Sequence, residues 1–289
     1  MKTTKTKNSF NLKNKSKIAF QLFRLISKSF YKNFRGPIFT YVVPVFFTII
    51  FYYLFSSDLV VNKGSAILGY VVLPCLTTII NLSGSIVEWK NSIFLKRMET
   101  TGISRKTFIL TIWLFYFLVG FSGVCLELII GLIIGGNDVI ELYKNMNWGF
   151  FILAVSLICL MSIGLATLLG GNLNDEGANQ GIALMIYFLC IFFSGVMLDP
   201  RLYESTTALR IFTYFIPLKY PVFLLLFSQY SDGDWKNAGF NNGIWDNRQN
   251  PEPLYQNFTS TWQPIVGAIL IIGLLFLIST LTFKWHRKN

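Results

Sequence analysis

The sequence has almost no histidine and lacks the common nucleotide-binding and hydrolytic motifs. His286 is the only histidine, which excludes histidine catalysis and His-rich metal sites. No GxxxxGKS/T, HExxH or GxSxG motif occurs, so we expect a non-catalytic chain that holds no cofactor, with any ATP bound by a separate protein. The four cysteines lie in apolar stretches without CxxC spacing, which is typical of small core residues; they are Cys75, Cys125, Cys159 and Cys190.

Charge is also scarce. Charged residues make up 13% of the chain, against roughly a quarter of a soluble domain. Hydrophobic residues make up 53%, and the mean hydropathy is +0.52. The surplus apolar surface must face lipid, which indicates an integral membrane protein. The net charge of +11 comes largely from Lys and Arg beside the apolar stretches. This placement predicts contact with membrane lipids and argues against nucleic acid as a partner.

Six apolar stretches have about the 20 residues that a helix needs to cross a bilayer. They cover residues 38–55, 66–87, 107–134, 148–169, 180–198 and 262–283. Pro44 and Pro74 lie inside the first two, where membrane helices tolerate proline and kink. The predicted fold class is an all-α integral membrane protein with six transmembrane helices, which form a single domain over residues 18–289.

The distribution of Lys and Arg orients these helices. Ten precede the first stretch, five lie between Glu88 and Lys106, and three follow the sixth stretch, whereas two other loops carry only Lys63 and Lys144. The positive-inside rule therefore predicts a cell-membrane protein with both termini in the cytoplasm. Residues 1–17 carry six lysines and are expected to form a disordered basic tail attracted to anionic lipid.

Residues 18–36 are predicted to form an amphipathic helix in the inner membrane interface. Gln21, Arg24, Lys28, Lys32 and Arg35 form one polar stripe, and an apolar stripe opposite contains Ala19, Phe23, Ile26, Phe30 and Phe34. Gly36-Pro37 is expected to end the helix. The alternative is a soluble helix packed on a partner.

A charged segment over residues 88–106 separates the second and third stretches. Ile93, Phe94, Arg97 and Met98 recur at helical spacing, Gly102 can end the helix, and Ser104 can cap the third stretch. An exposed helix with apolar residues at the membrane edge is suited to binding in a groove of a partner. The alternative is a loop helix that rests on lipid headgroups.

The region 199–261 is predicted to contain outer re-entrant or interfacial helices. The apolar run after residue 212 is interrupted by Pro217, Lys219 and Pro221, so its uninterrupted part is too short to cross the membrane. A polar loop follows over residues 231–261.

Glu127 is the one ionisable residue well inside an apolar stretch. A carboxylate at mid-bilayer costs on the order of 2.5–3.5 kcal/mol, so we expect Glu127 to face other helices. It is a candidate contact in a translocation path. The alternatives are a structural hydrogen bond to a neighbouring helix and a protonated carboxyl.

Two motifs resemble the ABC-2-type permeases, the membrane subunits of one class of ATP-binding cassette exporters. The first is Glu88 followed by Thr101-Gly102-Ile103-Ser104-Arg105, where Gly102 replaces the family's usual proline. The second is Ser194-Gly195-Val196-Met197-Leu198-Asp199-Pro200 followed by Phe215-Ile216-Pro217-Leu218-Lys219-Tyr220.

The resemblance implies a dimer of permease chains, the same or related, above two cytoplasmic P-loop ATPase subunits that bind ATP. Residues 91–101 would be the coupling helix seated in the ATPase, with Glu88, Phe94, Arg97, Met98, Thr101 and Gly102 as coupling residues. Residues 18–35 would be the connecting helix. The outer helices, with Pro217 and Tyr220, would shape the exit.

Two other functions are compatible with the residues alone. A membrane scaffold or assembly factor could recruit a cytoplasmic protein through the 88–106 hairpin. A secondary transporter is disfavoured, because the stretches hold one carboxylate, no second buried charge for ion coupling and no evident inverted repeat.

Overall fold

The computed structural model describes residues 4–55, 63–100, 103–197, 206–228, 258 and 261–283. Its regular secondary structure in these ranges is helical, without a strand. In chain order the helices are α1 (Thr4–Lys32), α2 (Arg35–Leu54, with a π-helical turn over Ile38–Val42), α3 (Lys63–Val71), α4 (Leu73–Asn91), α5 (Ile93–Thr100), α6 (Arg105–Asn145), α7 (Trp148–Asn172), α8 (Glu176–Phe193), α9 (Thr207–Thr213), α10 (Lys219–Phe227) and α11 (Trp262–Thr282).

The described residues contain six apolar segments long enough to cross a bilayer, as predicted. These are α2, the combined α3–α4 segment from Ile67, α6, α7, α8 and α11. The fifth begins at Glu176 rather than residue 180, because the Asp175 carboxylate accepts a hydrogen bond from the Ala178 amide at 2.7 Å and starts the helix before the apolar run. It ends at Phe193, ahead of a turn in which Gly195 has φ 94°.

The third predicted stretch is part of α6, whose chain reverses direction near its end. Gly136 has φ 54° and ψ −133°, a conformation that favours glycine. The Tyr143 hydroxyl then lies 3.5 Å from the Leu128 carbonyl oxygen. In a straight helix 15 residues span about 22 Å, so the residues after Gly136 must fold back along α6. The predicted end of the stretch at residue 134 lies two residues before this kink.

Helix α4 occupies the centre of the bundle. Of an 18-residue apolar stretch in the α3–α4 segment, 94% is buried inside the protein. The corresponding share is 17% in α2 and 17% in α11. Small residues allow the closest contacts. An added Cβ at Gly170 of α7 would lie 2.7 Å from the Ser83 carbonyl oxygen of α4. The outer helices therefore have apolar faces available for lipid, while α4 is surrounded by protein.

The N-terminal helix packs against α6. Leu22, Ile26 and Phe30 are buried, and the Phe30 ring lies 5.6 Å from that of Phe115. The helix begins at Thr4, within the segment predicted as a basic tail, and no Gly or Pro interrupts residues 4–32. One expectation for the apolar stripe is corrected here. Phe34 is 79% exposed and lies beyond the end of α1 at Lys32, so it is not part of the buried stripe.

The connections alternate between two ends of the bundle. At the hairpin end, defined by α5, the α7–α8 connection meets the end of α4, and Phe283 after α11 lies 5.9 Å from Phe108 of α6. At the far end, the Asn147 amide donates to the Ser228 carbonyl after α10 at 2.8 Å. Six crossings therefore leave α1 and Phe283, the last described residue, at the hairpin end.

Replacing Gly170 by alanine should destabilise the protein. The added methyl group meets a backbone carbonyl of α4 that cannot rotate away, and overpacking of this kind costs roughly 1–3 kcal/mol. Gly273→Ala is the matched control, because an added Cβ there meets no atom within 4 Å. We expect a lower thermal unfolding midpoint for Gly170→Ala alone, measured on purified protein in detergent. Equal midpoints for the two variants would contradict this description of the α4–α7 contact.

Candidate functional site

Helix α5 begins and ends where local side chains satisfy the backbone. The Ser92 hydroxyl donates to the Trp89 carbonyl at 2.9 Å and lies 3.2 Å from the Phe94 amide, which donates to it. The predicted Ser104 cap of α6 is confirmed, because the Thr107 amide donates to its hydroxyl at 3.2 Å. A short helix is thus held between two longer ones. Thr101 and Gly102 lie outside the described residues.

The residues that α5 exposes are not all those that its helical spacing suggested. Leu95 is fully buried, and Phe94 and Met98 are half-buried, packed on the core. The Phe94 ring lies 5.6 Å from that of Trp89. The exposed side carries Ile93, which is 64% exposed, and Arg97 one turn later. The apolar side chain most available to a partner is therefore Ile93, whereas Phe94 and Met98 fix the helix to the bundle.

A buried lysine attaches the base of this hairpin to the α7–α8 connection. Lys90, only 3% exposed, donates from Nζ to the carbonyl oxygens of Gly171 at 2.8 Å and Leu173 at 2.7 Å, and to Asn174 Oδ1 at 3.3 Å. These carbonyls lie at the C-terminal end of α7, where the helix dipole favours a cation. We call Lys90, Gly171, Leu173 and Asn174 the Lys90 cluster.

The next residue extends this attachment to α8. Asn91 donates from Nδ2 to Glu176 Oε1 at 3.2 Å. Sequence reasoning counted Lys90 only as a cytoplasmic positive charge and missed its role, because its partners lie more than 80 residues away along the chain. No local pattern identifies them. Glu88, one of the coupling residues named from the sequence, is exposed on the last turn of α4.

Glu127 is completely buried in α6, as predicted for a carboxyl that faces other helices. The Thr48 hydroxyl of α2 lies beside it. Within the described part of the chain, neither the two carboxyl oxygens nor this hydroxyl has a hydrogen bond of good geometry. The structural hydrogen bond considered from the sequence stays a prediction, with Thr48 as the neighbouring group.

The far end of the bundle contains a second buried lysine. Lys219, at the start of α10, is fully buried and donates from Nζ to the Thr213 hydroxyl at 2.5 Å. Its ammonium lies 4.1 Å from the centre of the Tyr214 ring and 5.4 Å from that of Phe223. Cation–π contacts of this kind compensate for lost hydration.

The two residues singled out from the sequence for the exit, Pro217 and Tyr220, lie within two positions of this lysine in the chain. Pro217 is half-buried, and the Tyr220 hydroxyl donates to the Tyr214 carbonyl at 3.2 Å. Helix α10 is buried except at the half-buried Tyr220, although nine residues are too few to cross a bilayer. Residues 198–205 and 229–257, including most of the predicted outer loop, lie outside the described residues.

Six apolar crossings with a short helix at one end define a multi-pass membrane protein. Residues 60–282 match the family model of the ABC-2 family transporter proteins, and the chain therefore belongs to that family. It is a transmembrane permease of the ABC transporter class, a family whose membrane subunits are generally non-catalytic. No curated protein matches the chain.

Replacing Lys90 by methionine should lower the free energy of unfolding by about 2 kcal/mol, since hydrogen bonds from a charged group contribute roughly 1.5–3 kcal/mol and three acceptors lose their donor. Lys106→Met is the matched control, because Lys106 is exposed at the start of α6. The comparison is the thermal unfolding midpoint of the two purified variants and the unaltered protein. A midpoint for Lys90→Met as high as that of Lys106→Met would rule out this role.

Proposed function

We propose that this chain is the transmembrane subunit of an ATP-driven exporter, coupled through α5 to a separate cytoplasmic P-loop ATPase. The observation that carries the proposal is a short helix that is fixed firmly to the bundle yet presents Ile93 and Arg97 outward. Membership of the ABC-2 transporter family supports it. The absence of a P-loop motif from the sequence is consistent with ATP binding by another chain.

The attachment of α5 makes it suited to transmit motion. Leu95 anchors it in the core, and Lys90, three residues before it, donates hydrogen bonds to the connection between α7 and α8. Movement of α5 by an ATPase would therefore act on α4, α6, α7 and α8 together. A loop that only rested on lipid headgroups would not need a buried ammonium at its base.

The translocation path is proposed to lie between two permease chains. The centre of one chain is filled by α4, which is packed on all sides by other helices of the same chain. Interiors of this kind are close-packed, so a substrate would pass along the outside of the bundle, where a second chain closes the path. The buried outer helix α10, with Lys219 held among aromatic rings, is proposed to shape the exit as a re-entrant element.

The orientation in the cell membrane follows from charge. The hairpin end carries Lys90, Arg97, Arg105 and Lys106, as well as the basic helix α1. Positively charged connections remain on the cytoplasmic side, so the hairpin end and both termini are proposed to lie inside. This is the side on which a cytoplasmic ATPase would meet α5.

Exchanging both exposed residues of α5 should separate the permease from its ATPase. Losing a central interface anchor commonly costs at least about 2 kcal/mol, over tenfold in affinity. We expect Ile93→Ala with Arg97→Ala to remove ATP hydrolysis from the affinity-purified complex while membrane insertion is unchanged. The matched control is Leu110→Ala with Lys106→Ala, also an exposed apolar and basic pair four residues apart.

Two outcomes would count against the proposal. Full ATP hydrolysis and transport by the α5 variant would contradict coupling through α5. Recruitment of a cytoplasmic protein that lacks a P-loop and hydrolyses no ATP would instead favour a membrane scaffold.

Cysteine labelling tests the orientation. In a background without Cys75, Cys125, Cys159 and Cys190, single cysteines at positions 63, 144 and 242 should react with a membrane-impermeant thiol reagent added to intact cells. Cysteines at positions 96, 175 and 288 should react only after the cells are opened, because these positions are placed in the cytoplasm. Labelling of position 96 from outside would overturn both the orientation and the role of α5.

A further inference from the structure

A polar cleft opens on the side of the bundle at the hairpin end. It lies where α2 begins, α4 ends and α8 begins, and it encloses about 550 Å³ including the solvent at its mouth. Its lining includes Asn81 and Glu88 from α4, Glu176 and Asn179 from α8, and Arg35 from the start of α2. Three of the proposed crossings thus contribute to one polar surface, which lipid tails would not solvate.

Two buried amide oxygens in this lining have no donor. Asn179 is 1% exposed and Asn81 is 7% exposed, and within the described part of the chain the side-chain oxygen of each lacks a hydrogen bond. Their amide nitrogens are already used. Asn179 Nδ2 donates to Ser83 Oγ at 3.2 Å, and Asn81 Nδ2 donates to Thr40 Oγ1 at 3.0 Å.

The surroundings fix the orientation of the deeper amide. Ser83 donates its own hydroxyl proton to the Ile80 carbonyl at 3.2 Å, so it must accept from Asn179 rather than donate to it. The Asn179 oxygen is therefore the free acceptor. An unsatisfied buried acceptor costs about 1–3 kcal/mol, which a ligand with hydrogen-bond donors would relieve.

The charges at the mouth favour a cationic donor. Glu88 and Glu176 contribute two carboxylates, and Arg35, exposed at the mouth, is the one cationic residue among the described residues of the lining. One Glu176 oxygen accepts from Asn91, but a carboxylate has further acceptor sites. A primary ammonium offers three N–H donors and one positive charge to these acceptors.

An apolar pocket lies farther along the same three helices, where α3 also contributes to the lining. It encloses about 390 Å³ and is lined by aromatic side chains such as Phe51 of α2, Tyr70 of α3, and Tyr187 and Phe188 of α8. Leu73 in this pocket and Ile80 in the cleft are about two turns apart on α4, roughly 10 Å. An extended molecule of modest length could touch both linings.

We propose that this cleft binds the primary ammonium group of an amphiphilic molecule whose apolar body lies against the aromatic pocket. The inference rests on the proposed transport function and gives it a substrate class, the alkylammonium amphiphiles. The same ammonium chemistry is found in the head of phosphatidylethanolamine and in a free cationic amphiphile.

Dodecylamine is the probe, because it has the ammonium head and an unbranched apolar body. Radiolabelled dodecylamine is added to the purified full chain in phosphatidylcholine nanodiscs, and binding to empty nanodiscs is subtracted. Unlabelled dodecylamine should displace the label at least about tenfold more effectively than dodecyltrimethylammonium, which has the charge without N–H donors, or dodecanol, which has no charge.

Variants test whether binding depends on the acceptors of the cleft or on the overall negative charge of the protein. Glu88→Gln with Glu176→Gln should weaken binding about tenfold, and Asn179→Leu should weaken it comparably. Asp138→Asn with Glu141→Gln removes two exposed carboxylates toward the other end of α6 and should leave binding unchanged. Asn179→Leu also loses the hydrogen bond to Ser83. If the Asn179→Leu variant does not fold, the double glutamate variant still tests the proposal, because both glutamates are exposed.

Lipid composition distinguishes the two sources. Weaker probe binding in phosphatidylethanolamine nanodiscs would identify the lipid head as an occupant. Unchanged probe binding in phosphatidylethanolamine nanodiscs would indicate that the site binds a free amphiphile rather than the lipid. Equal displacement by dodecyltrimethylammonium or dodecanol, or full binding by the glutamate variant, would overturn the proposal. Because no ATPase is present, these results are independent of the coupling through α5.

Discussion

The position of α5 relative to the membrane helices depends on one buried ammonium. Lys90 is removed from water at the end of the most buried helix, and its charge is compensated by carbonyl oxygens that α7 leaves free at its C-terminal end. Without that donor, two backbone carbonyls and one amide oxygen would each lose their charged partner. The Lys90 cluster therefore satisfies the end of one membrane helix and sets the direction in which the hairpin leaves another.

The two buried lysines show two physical solutions to one problem. At the hairpin end, Lys90 is surrounded by carbonyl dipoles. At the far end, Lys219 is held by one hydroxyl and the faces of two aromatic rings. Glu127, between these ends, is buried with the Thr48 hydroxyl of α2 as a polar neighbour. The two lysines lie near the ends of the bundle, where partial charges or aromatic faces are available.

Much of the fold could be predicted from the sequence because lipid imposes a strong and local rule. Six apolar stretches of the right length were enough to identify the crossings, and Ser104 identified the start of α6 because capping depends on residues three positions apart. The burial of Glu127 followed from the cost of exposing a carboxylate to lipid. The reversal at Gly136 had only a weak signal, a Gly-Gly pair at the end of an apolar run.

The candidate site was less predictable, because its contacts join distant parts of the chain. Helical spacing placed Phe94, Arg97 and Met98 close together but could not show that Phe94 packs on Trp89 and leaves Ile93 outward. The partners of Lys90, and the facing of Asn81 and Asn179 across a cleft, depend on how α4 and α8 pack. Periodicity within one helix holds no information on that packing.

Helix α6 also has a mechanical consequence. From Arg105 to Gly135 it runs about 46 Å at 1.5 Å per residue, and its base directly follows the hairpin. The end of α6 at Arg105 lies next to α5, and the other end lies at the far end of the bundle. A tilt of about 5° at that base displaces the opposite end by roughly 4 Å, which is close to the width of a side chain. A small tilt at the hairpin end would therefore change the packing at the opposite end of the bundle.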